Sequence, residues 1–161
     1  MTGGQRLGLL IGAGTFLADQ ILKIWMIFLY ELPSRGRVEV LPFLDLVMVW
    51  NRGISYGLFQ QDSLLGRGIL IGISIAASIF ILFWLKSPMA RLQAIALGLI
   101  LGGAVGNGVD RAVHGAVADF VLLHAFGREW YVFNIADAAI VVGVALILYG
   151  AIFRGGRAEA A

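Results

Sequence analysis

Four long apolar runs dominate this chain and limit the folds that are open to it. They cover about residues 7–29, 68–85, 92–109 and 133–153. A helix needs about 20 mostly apolar residues to cross a bilayer, and each run is close to that length. Of the 161 residues, 60% are hydrophobic and only 14% are charged, which is unlike a soluble domain of this size. The sequence therefore predicts a single integral membrane domain, residues 1–161, with four transmembrane helices.

The polar segment after the first run predicts structure outside the membrane. Residues 38–50 are rich in Val, Leu, Phe and Trp and suit one or two short strands, broken at Pro42 and Asp45. Residues 51–53 follow as a turn. Residues 54–61 fit a short amphipathic helix that lies in the membrane interface.

The segment after the third run predicts a second β element. Residues 120–133 read as two strands around a turn at Gly127, and this hairpin could pair with the strands of the first polar segment. The predicted fold class is therefore a membrane all-α protein with a small extramembrane β element.

The distribution of cations suggests how the chain is oriented. The short loop between the second and third runs carries Lys86 and Arg91 and no acid, and the ends carry Arg6 and Arg154. Cations in short loops favour the cytoplasmic side. We expect both termini in the cytoplasm, with the β-cradle and the interfacial helix on the outer face.

One stripe of the first run combines small and charged residues. Gly8, Gly12, Thr15, Asp19 and Lys23 fall within a narrow sector of a helix. One interpretation is that the glycines form a packing seam while Asp19 and Lys23 neutralise each other four residues apart. The other is that this stripe faces a polar cavity shared with carboxylates further along the chain.

Glycines with the same four-residue spacing occur in the next two runs. Gly98, Gly102 and Gly106 form a double GxxxG stripe in the third run, and Gly68 and Gly72 repeat the spacing in the second. We expect the third run to pack closely on another helix through this stripe, while its polar residues project from a different side.

Two carboxylates are candidates for catalysis. Asp119 follows the third run and Asp137 opens the fourth, so both should lie near the same membrane surface. Two carboxylates at one site cannot both ionise easily, so one can take a proton from water while the other donates to a carbonyl oxygen. The alternative is a pair of buried carboxylates satisfied by Asn134, Asn107 or Arg111.

Composition excludes some functions and leaves others open. The chain has no cysteine, which excludes disulfides, cysteine catalysis and thiolate metal sites. Its net charge of +2 and scattered arginines give no reason to expect a nucleic-acid partner. A small transporter with Asp19, Lys23 and Asp137 as a proton relay is one alternative, and a non-catalytic assembly factor is another. The polar residues gather at one face of the membrane and do not cross the bilayer, which disfavours a proton relay.

The motifs together resemble the lipoprotein signal peptidases, also called signal peptidase II, over nearly the whole chain. In order, the matching pieces are Asp19-Gln20 with Lys23, Asn51-Arg52-Gly53, Gly102-Gly103-Ala104 with Gly106-Asn107, Asp110-Arg111, Gly115 with Val117 and Asp119-Phe120, and Phe133-Asn134 with Ala136-Asp137.

The resemblance implies a four-helix enzyme of the bacterial inner membrane, with its active site near the outer, periplasmic face. Such enzymes cut the signal peptide from a diacylglyceryl-modified prolipoprotein just before its lipidated cysteine. The catalytic aspartates would be Asp119 and Asp137, with no metal and no cofactor. The partners expected are the lipidated prolipoprotein and membrane lipids, and the protein is expected to be a monomer. The supporting polar residues would be Asp19, Lys23, Asn51, Gly53, Asn107, Asp110, Arg111 and Asn134.

Two roles stay open from the residues alone. Arg111 is adjacent to Asp110, and a mutual salt bridge between them is one interpretation. The other is that Arg111 holds substrate or a lipid phosphate through its fork of donors. Asn107 can donate to a substrate carbonyl and accept from its amide, and Asn134 can orient a carboxylate or water.

Overall fold

The computed structural model describes residues 1–53 and 63–154, which form four long helices, one single-turn helix and a small sheet. The helices are α1 (Gly3–Ile24), continued by a π-helical turn at Trp25–Leu29, α2 (Leu32–Arg35), α3 (Leu64–Trp84), α4 (Arg91–His114) and α5 (Ile135–Arg154). The strands are β1 (Val38–Leu41), β2 (Leu44–Asn51), β3 (Val117–Ala125) and β4 (Arg128–Phe133).

The four long helices of this described part are each long and apolar enough to cross a membrane. The predicted class, apolar helices with a small antiparallel sheet, is therefore confirmed. The interfacial helix predicted at residues 54–61 lies outside the described residues.

Helix α4 is the central helix, and its glycines bring α1 against it. A Cβ added at Gly98 would overlap the backbone oxygen of Gly8, and one added at Gly102 would overlap that of Gly12. A Cβ at Gly106 would lie 2.6 Å from a carboxylate oxygen of Asp19. The predicted glycine stripe is thus a close helix–helix contact, as small residues permit in membranes.

The spacing of Gly68 and Gly72 in α3 has no such consequence within the described chain. An added Cβ at either position would meet no atom within 4 Å. Helix α3 instead packs on α4 near Gly108, where an added Cβ would lie 3.2 Å from the Cβ of Ser74.

The sheet has the order β1-β2-β3-β4 and every neighbouring pair is antiparallel. The predicted hairpin is confirmed: β3 and β4 are joined at Phe126 and Gly127, whose φ angles are 52° and 73°. Positive φ at both positions is typical of tight hairpin turns. The hairpin also pairs with β2 as expected, and the register places Asn51 opposite Val117.

Asp45 was predicted to break the strand, and that prediction is wrong. It lies inside β2 and is 1% exposed. Its Oδ2 accepts from Nε of Arg37 at 2.6 Å and lies 3.1 Å from Nε2 of His124. Burial acts to raise the pKa of Asp45, but the contacts with Arg37 and His124 outweigh it and hold the pKa below its usual value. Paired in this way, a carboxylate is tolerated inside a strand.

The end of α4 sets the position of the first candidate carboxylate. The helix runs to His114, beyond the apolar run, and Asn107 and Asp110 near its end are buried on its inner side. Gly115, with φ of 79°, ends it in the left-handed conformation that glycine adopts without strain. The chain then reverses directly into β3, which carries Asp119 back beside the helix end.

Candidate active site

Asp119 lies in β3 and is 1% exposed. Its Oδ1 accepts a 2.7 Å hydrogen bond from the side-chain amide of Asn134, and its Oδ2 accepts one of 3.0 Å from that of Asn51. Asn51 ends β2, the strand paired with β3, so the sheet itself brings this amide to the carboxylate. Both oxygens of Asp119 are therefore hydrogen-bonded.

Asp137 lies in the first turn of α5 and lines a cleft. Its Oδ1 accepts a 2.7 Å hydrogen bond from the side-chain amide of Asn107. Its backbone N–H donates to Oδ1 of Asn134 at 2.9 Å, and its Oδ2 receives the backbone N–H of Asn134 at 3.4 Å. This reciprocal pairing is a capping box, in which Asn134 is the N-cap of α5. The carboxylate thus lies where the helix dipole favours a negative charge.

In each of the three asparagines around the carboxylates, Asn51, Asn107 and Asn134, the side-chain oxygen already accepts a hydrogen bond. Oδ1 of Asn51 accepts from the backbone N–H of Gly53 at 3.0 Å. Oδ1 of Asn107 accepts from Nζ of Lys23 and from the amide of Asn134, both at 3.2 Å. Oδ1 of Asn134 is taken by the first turn of α5. Because each oxygen is occupied, each NH₂ group must face a carboxylate, which fixes the orientation of all three amides.

A layer of buried charges underlies this site. Nζ of Lys23 lies 2.8 Å from Asp19 and 2.8 Å from Asp110. Asp19 accepts the backbone N–H of Ala136 in α5 at 3.0 Å, and Asp110 accepts that of Ala118 in β3 at 3.1 Å. The first interpretation of the α1 stripe holds, because its glycines pack on α4 while Asp19 and Lys23 neutralise each other. Lys23 also reaches Asn107 of the site, but neither charged residue is among those that line the cleft.

Arg111 does not pair with Asp110, so the mutual salt bridge is a wrong interpretation. Adjacent residues on a helix point about 100° apart, and Asp110 turns inward to Lys23. Arg111 instead donates to the backbone oxygens of Gly53 at 2.8 Å and Asn107 at 3.3 Å. Its Nε is buried without a hydrogen-bond partner among the described residues. The guanidinium lines the same cleft as Asp137.

Burial raises the pKa of Asp119 to about 7, and the nearby charge of Asp137 acts in the same direction. Hydrogen bonds from Asn51 and Asn134 act in the opposite direction but do not offset the loss of solvent. A carboxyl group with this pKa is partly protonated at neutral pH.

The cleft beside the carboxylates has a volume of about 330 Å³ and two kinds of wall. Asn51, Asn107, Arg111 and Asp137 form its polar end. The rest is mostly apolar and comes from the transmembrane helices, including Leu70, Ile73, Ile100, Ile140 and Val141. Such a cleft can hold a polar backbone at one end and an apolar chain along the other.

The structure brings every predicted site residue into one connected cluster. Gln20 is a member that sequence reasoning did not assign to the site. Its side-chain amide donates to Asp19 at 3.1 Å and to Asp110 at 3.0 Å. Its place in the matching Asp19-Gln20 motif was the available signal, but neighbouring residues on a helix usually point in different directions.

Four apolar helices around a cleft that contains a carboxylate are the architecture expected of a multi-pass membrane enzyme. Comparisons with known proteins support this class. The family model described as signal peptidase (SPase) II matches residues 11–153. The chain therefore belongs to the signal peptidase II family and is a peptidase.

Individual relatives support this assignment over nearly the full length. The chain is 50% identical to a lipoprotein signal peptidase from Methylobacterium sp. (strain 4-46), covering 96% of this chain and 94% of the relative. It is 46% identical to one from Nitrobacter hamburgensis, covering 96% and 97%. A bacterial membrane enzyme solved by the in meso method at 2.3 Å is similar in structure, with a TM-score of 0.78 and 26% identity, over 90% of this chain and 87% of the other.

Proposed function

We propose that this chain is the aspartic endopeptidase that removes the signal peptide from diacylglyceryl-modified prolipoproteins. It cuts just before the lipidated cysteine, and Asp119 and Asp137 together activate a water molecule. The observation that carries the proposal is that the side chain of Asn134 is hydrogen-bonded to both aspartates. Its amide donates to the carboxylate of Asp119 and accepts from the backbone N–H of Asp137, where α4 ends and α5 begins. The names of the relatives support the substrate class.

The geometry suggests which aspartate plays which role. Asp137 lines the cleft, and its Oδ2 accepts only the long 3.4 Å bond from Asn134 among the described residues, so this oxygen is the available base. Asp119 holds the shared proton because burial raises its pKa to about 7. Asp137 takes a proton from water as the water attacks the peptide carbonyl, and Asp119 donates its proton to the carbonyl oxygen.

The resulting tetrahedral intermediate carries two hydroxyl groups on the former carbonyl carbon. Its collapse breaks the C–N bond, the amine leaves with the proton that Asp137 took, and one hydroxyl returns its proton to Asp119. The dyad is thereby restored with one shared proton. No covalent enzyme intermediate is formed, and the atoms of one water are divided between the two products.

Substrate would be bound by the two walls of the cleft. Arg111, Asn107 and Asn51 would contact the peptide backbone at the polar end by donating N–H groups, since the oxygens of both asparagines are already occupied. The apolar wall between α3 and α5 would take the acyl chains of the substrate, with membrane lipids around it. Gly53, Asp19, Lys23 and Asp110 would support the site through the contacts described above.

The proposed setting is the bacterial inner membrane. Residues 1–161 would form one peptidase domain that acts as a monomer, with both termini in the cytoplasm and the dyad near the periplasmic face. An impermeant thiol reagent tests this topology, because the chain has no cysteine of its own. A cysteine introduced at Gly127 should react from outside intact spheroplasts, and reaction only after lysis would reverse the orientation.

The activity is tested with purified protein and a precursor peptide in two forms, with and without diacylglyceryl on the cysteine. The proposal expects cleavage of the lipidated form alone, and mass spectrometry should find the lipidated cysteine at the new N-terminus. Equal cleavage of both forms, or a cut elsewhere, would contradict it. A transporter or an assembly factor would produce no shortened peptide.

A further inference from the structure

A second cavity, of about 500 Å³, lies where β2 ends, α3 begins and α4 ends. We call it the arginine cavity, and its polar lining comprises Trp50, Arg52, Ser63, Arg67 and His114. Among its lining residues, all of them described by the structure, there are two arginines and no acid. None of the candidate catalytic carboxylates or their asparagines takes part in it. The chemistry of the lining favours an anion.

Arg67 is held rigidly at the wall of this cavity. Its Nε donates to the backbone oxygen of Arg111 at 2.6 Å, and its Nη2 to that of Ala112 at 2.5 Å. These bonds engage two of its nitrogens with backbone oxygens of the last turn of α4, and within residues 1–53 and 63–154 no carboxylate pairs with the guanidinium. Gly115 leaves room beside the remaining nitrogen, since a Cβ there would lie 3.3 Å from Nη1.

The first turn of α3 adds a second source of positive potential. Ser63 is the N-cap, and its hydroxyl oxygen accepts from the backbone N–H of Gly66 at 3.1 Å. Ser63 and Leu64 both line the cavity, so the positive end of a 21-residue helix faces it. Helix N-termini bind phosphate groups for this reason.

The position of the arginine cavity in the fold indicates its occupant. Leu64 and His114 are terminal residues of two membrane-spanning helices, so the cavity is level with the lipid headgroups. The ring of Trp50 lies 5.3 Å from that of His114, and tryptophan is enriched at this depth. A phosphate carried by a lipid is the anion most abundant there.

We propose that the arginine cavity binds a phosphate group, presented by the headgroup of an anionic phospholipid. Arg67 and Arg52 bind the phosphate oxygens, for which guanidinium groups are suited. The bound lipid would also brace the catalytic cleft, because Arg111 donates to the oxygen of Gly53, next to Arg52. This site concerns binding alone and does not depend on the proposed peptidase chemistry.

The test measures the thermal unfolding midpoint of the purified full chain in a neutral detergent. Dioctanoyl phosphatidylglycerol is titrated against dioctanoylglycerol, which has the same acyl chains and no phosphate, and against inorganic phosphate. We expect the unfolding midpoint to rise to a plateau with phosphatidylglycerol and not with dioctanoylglycerol. Inorganic phosphate either raises the midpoint as well or leaves it unchanged. Arg52→Gln should weaken the apparent affinity by about tenfold, since it removes a hydrogen bond to a charged group.

Arg128→Gln is the matched control, because it removes the same charge from an exposed residue of the hairpin, outside the cavity. It should bind like the wild type. Arg67→Gln should also lose affinity for the lipid. This variant loses the hydrogen bonds of Arg67 to α4 and could fail to fold, and in that case Arg52→Gln alone decides the test. Displacement of the lipid by inorganic phosphate would show that the phosphate itself is recognised, and its failure would assign recognition to the whole headgroup. Equal stabilisation by dioctanoylglycerol, or unchanged affinity in Arg52→Gln, would overturn the proposal.

Discussion

Asn134 donates a 2.7 Å hydrogen bond from its side-chain amide to Oδ1 of Asp119. The oxygen of the same amide accepts the backbone N–H of Asp137, so one side chain fixes the relative positions of both proposed catalytic residues. Because Asn134 is also the N-cap of α5, the start of that helix and the assembly of the site are coupled.

The two roles of Asn134 can be separated by substitution. Serine is as good an N-cap as asparagine but is too short to keep the amide bond to Asp119. We expect Asn134→Ser to keep the helix cap and fold, with a loss of about 1–3 kcal/mol from buried acceptors left unpaired, which is less than the loss in Asn134→Ala. Its kcat should fall about 10²-fold, the usual cost of a misplaced catalytic group. Asn134→Ala should lose both stability and activity. Wild-type kcat in a folded Asn134→Ser variant would show that the bridge is not needed.

Lys23 should be important for stability because it neutralises two buried carboxylates. Lys23→Met leaves Asp19 and Asp110 without their cation, and breaking a buried pair in this way costs about 3–5 kcal/mol. We expect a large fall in folded yield and in the unfolding midpoint in detergent. The control is Lys86→Met, which removes an exposed lysine from a loop. Similar midpoints for the two variants would contradict the inferred role.

The α1–α4 contact predicts opposite outcomes for two glycines. Gly102→Leu should strongly reduce folded yield, because its side chain would overlap the backbone of Gly12 and force the helices apart. Gly68→Leu makes the same change in α3, where an added Cβ meets no atom within 4 Å, and it should be tolerated. Size-exclusion profiles and unfolding midpoints measure both, and a fully stable Gly102→Leu protein would exclude the close contact.

Stability should depend on pH through Asp119. Its pKa is about 7 in the folded protein, above the ordinary aspartate value of 3.8, so the folded state binds the proton more tightly than the unfolded state. The free energy of unfolding should therefore fall as pH rises from about 4 to about 7 and then level off. Asp119→Asn removes this titration, so its unfolding midpoint should fall less over the same range. Identical pH profiles would mean that Asp119 is not a perturbed group.

The helices and the hairpin could be predicted because each rests on local pattern. Apolar runs of about 20 residues indicate spans whatever they pack against. The hairpin at Phe126 and Gly127 follows from turn chemistry and flanking β-formers. The positions of Asp119 and Asp137 at the ends of two apolar runs already predicted that they lie near one membrane surface, and the resemblance to a family strengthened their prediction as a catalytic pair.

The ion pair between Asp19 and Lys23 could be predicted from their four-residue spacing on one helix. The ion pairs between distant parts of the chain could not, because they depend on how the helices are rotated and placed. Adjacency in sequence suggested that Arg111 pairs with Asp110, but the close α1–α4 contact brings Lys23 to that carboxylate. The sequence likewise predicted that Asp45 breaks the strand, because it does not show that Arg37 and His124 lie beside this carboxylate. Partners of a buried charge come from anywhere in the fold, and a sequence does not indicate their distance.

The orientation of the asparagine amides is a further property of the assembled fold. Lys23, Gly53 and the first turn of α5 each supply a donor to one amide oxygen. These donors come from three different parts of the chain. Sequence could identify the asparagines as supporting residues, but only the fold turns their NH₂ groups toward the carboxylates.

The central claim is that Asp119 and Asp137 act as one catalytic unit, and turnover of a lipidated precursor peptide by Asp→Asn variants tests it most directly. Loss of a general acid–base group costs about 10²–10⁴ in rate, so Asp119→Asn and Asp137→Asn should each be nearly inactive while folded and able to bind substrate. The double variant should be little worse than either, because residues that act as a unit are not additive. Glu39→Gln, at an exposed carboxylate of the sheet, should cleave like the wild type, and Asp19→Asn should lower yield more than turnover. A folded Asp137→Asn protein that cleaves at near wild-type rate, while Asp19→Asn does not, would place catalysis on other carboxylates.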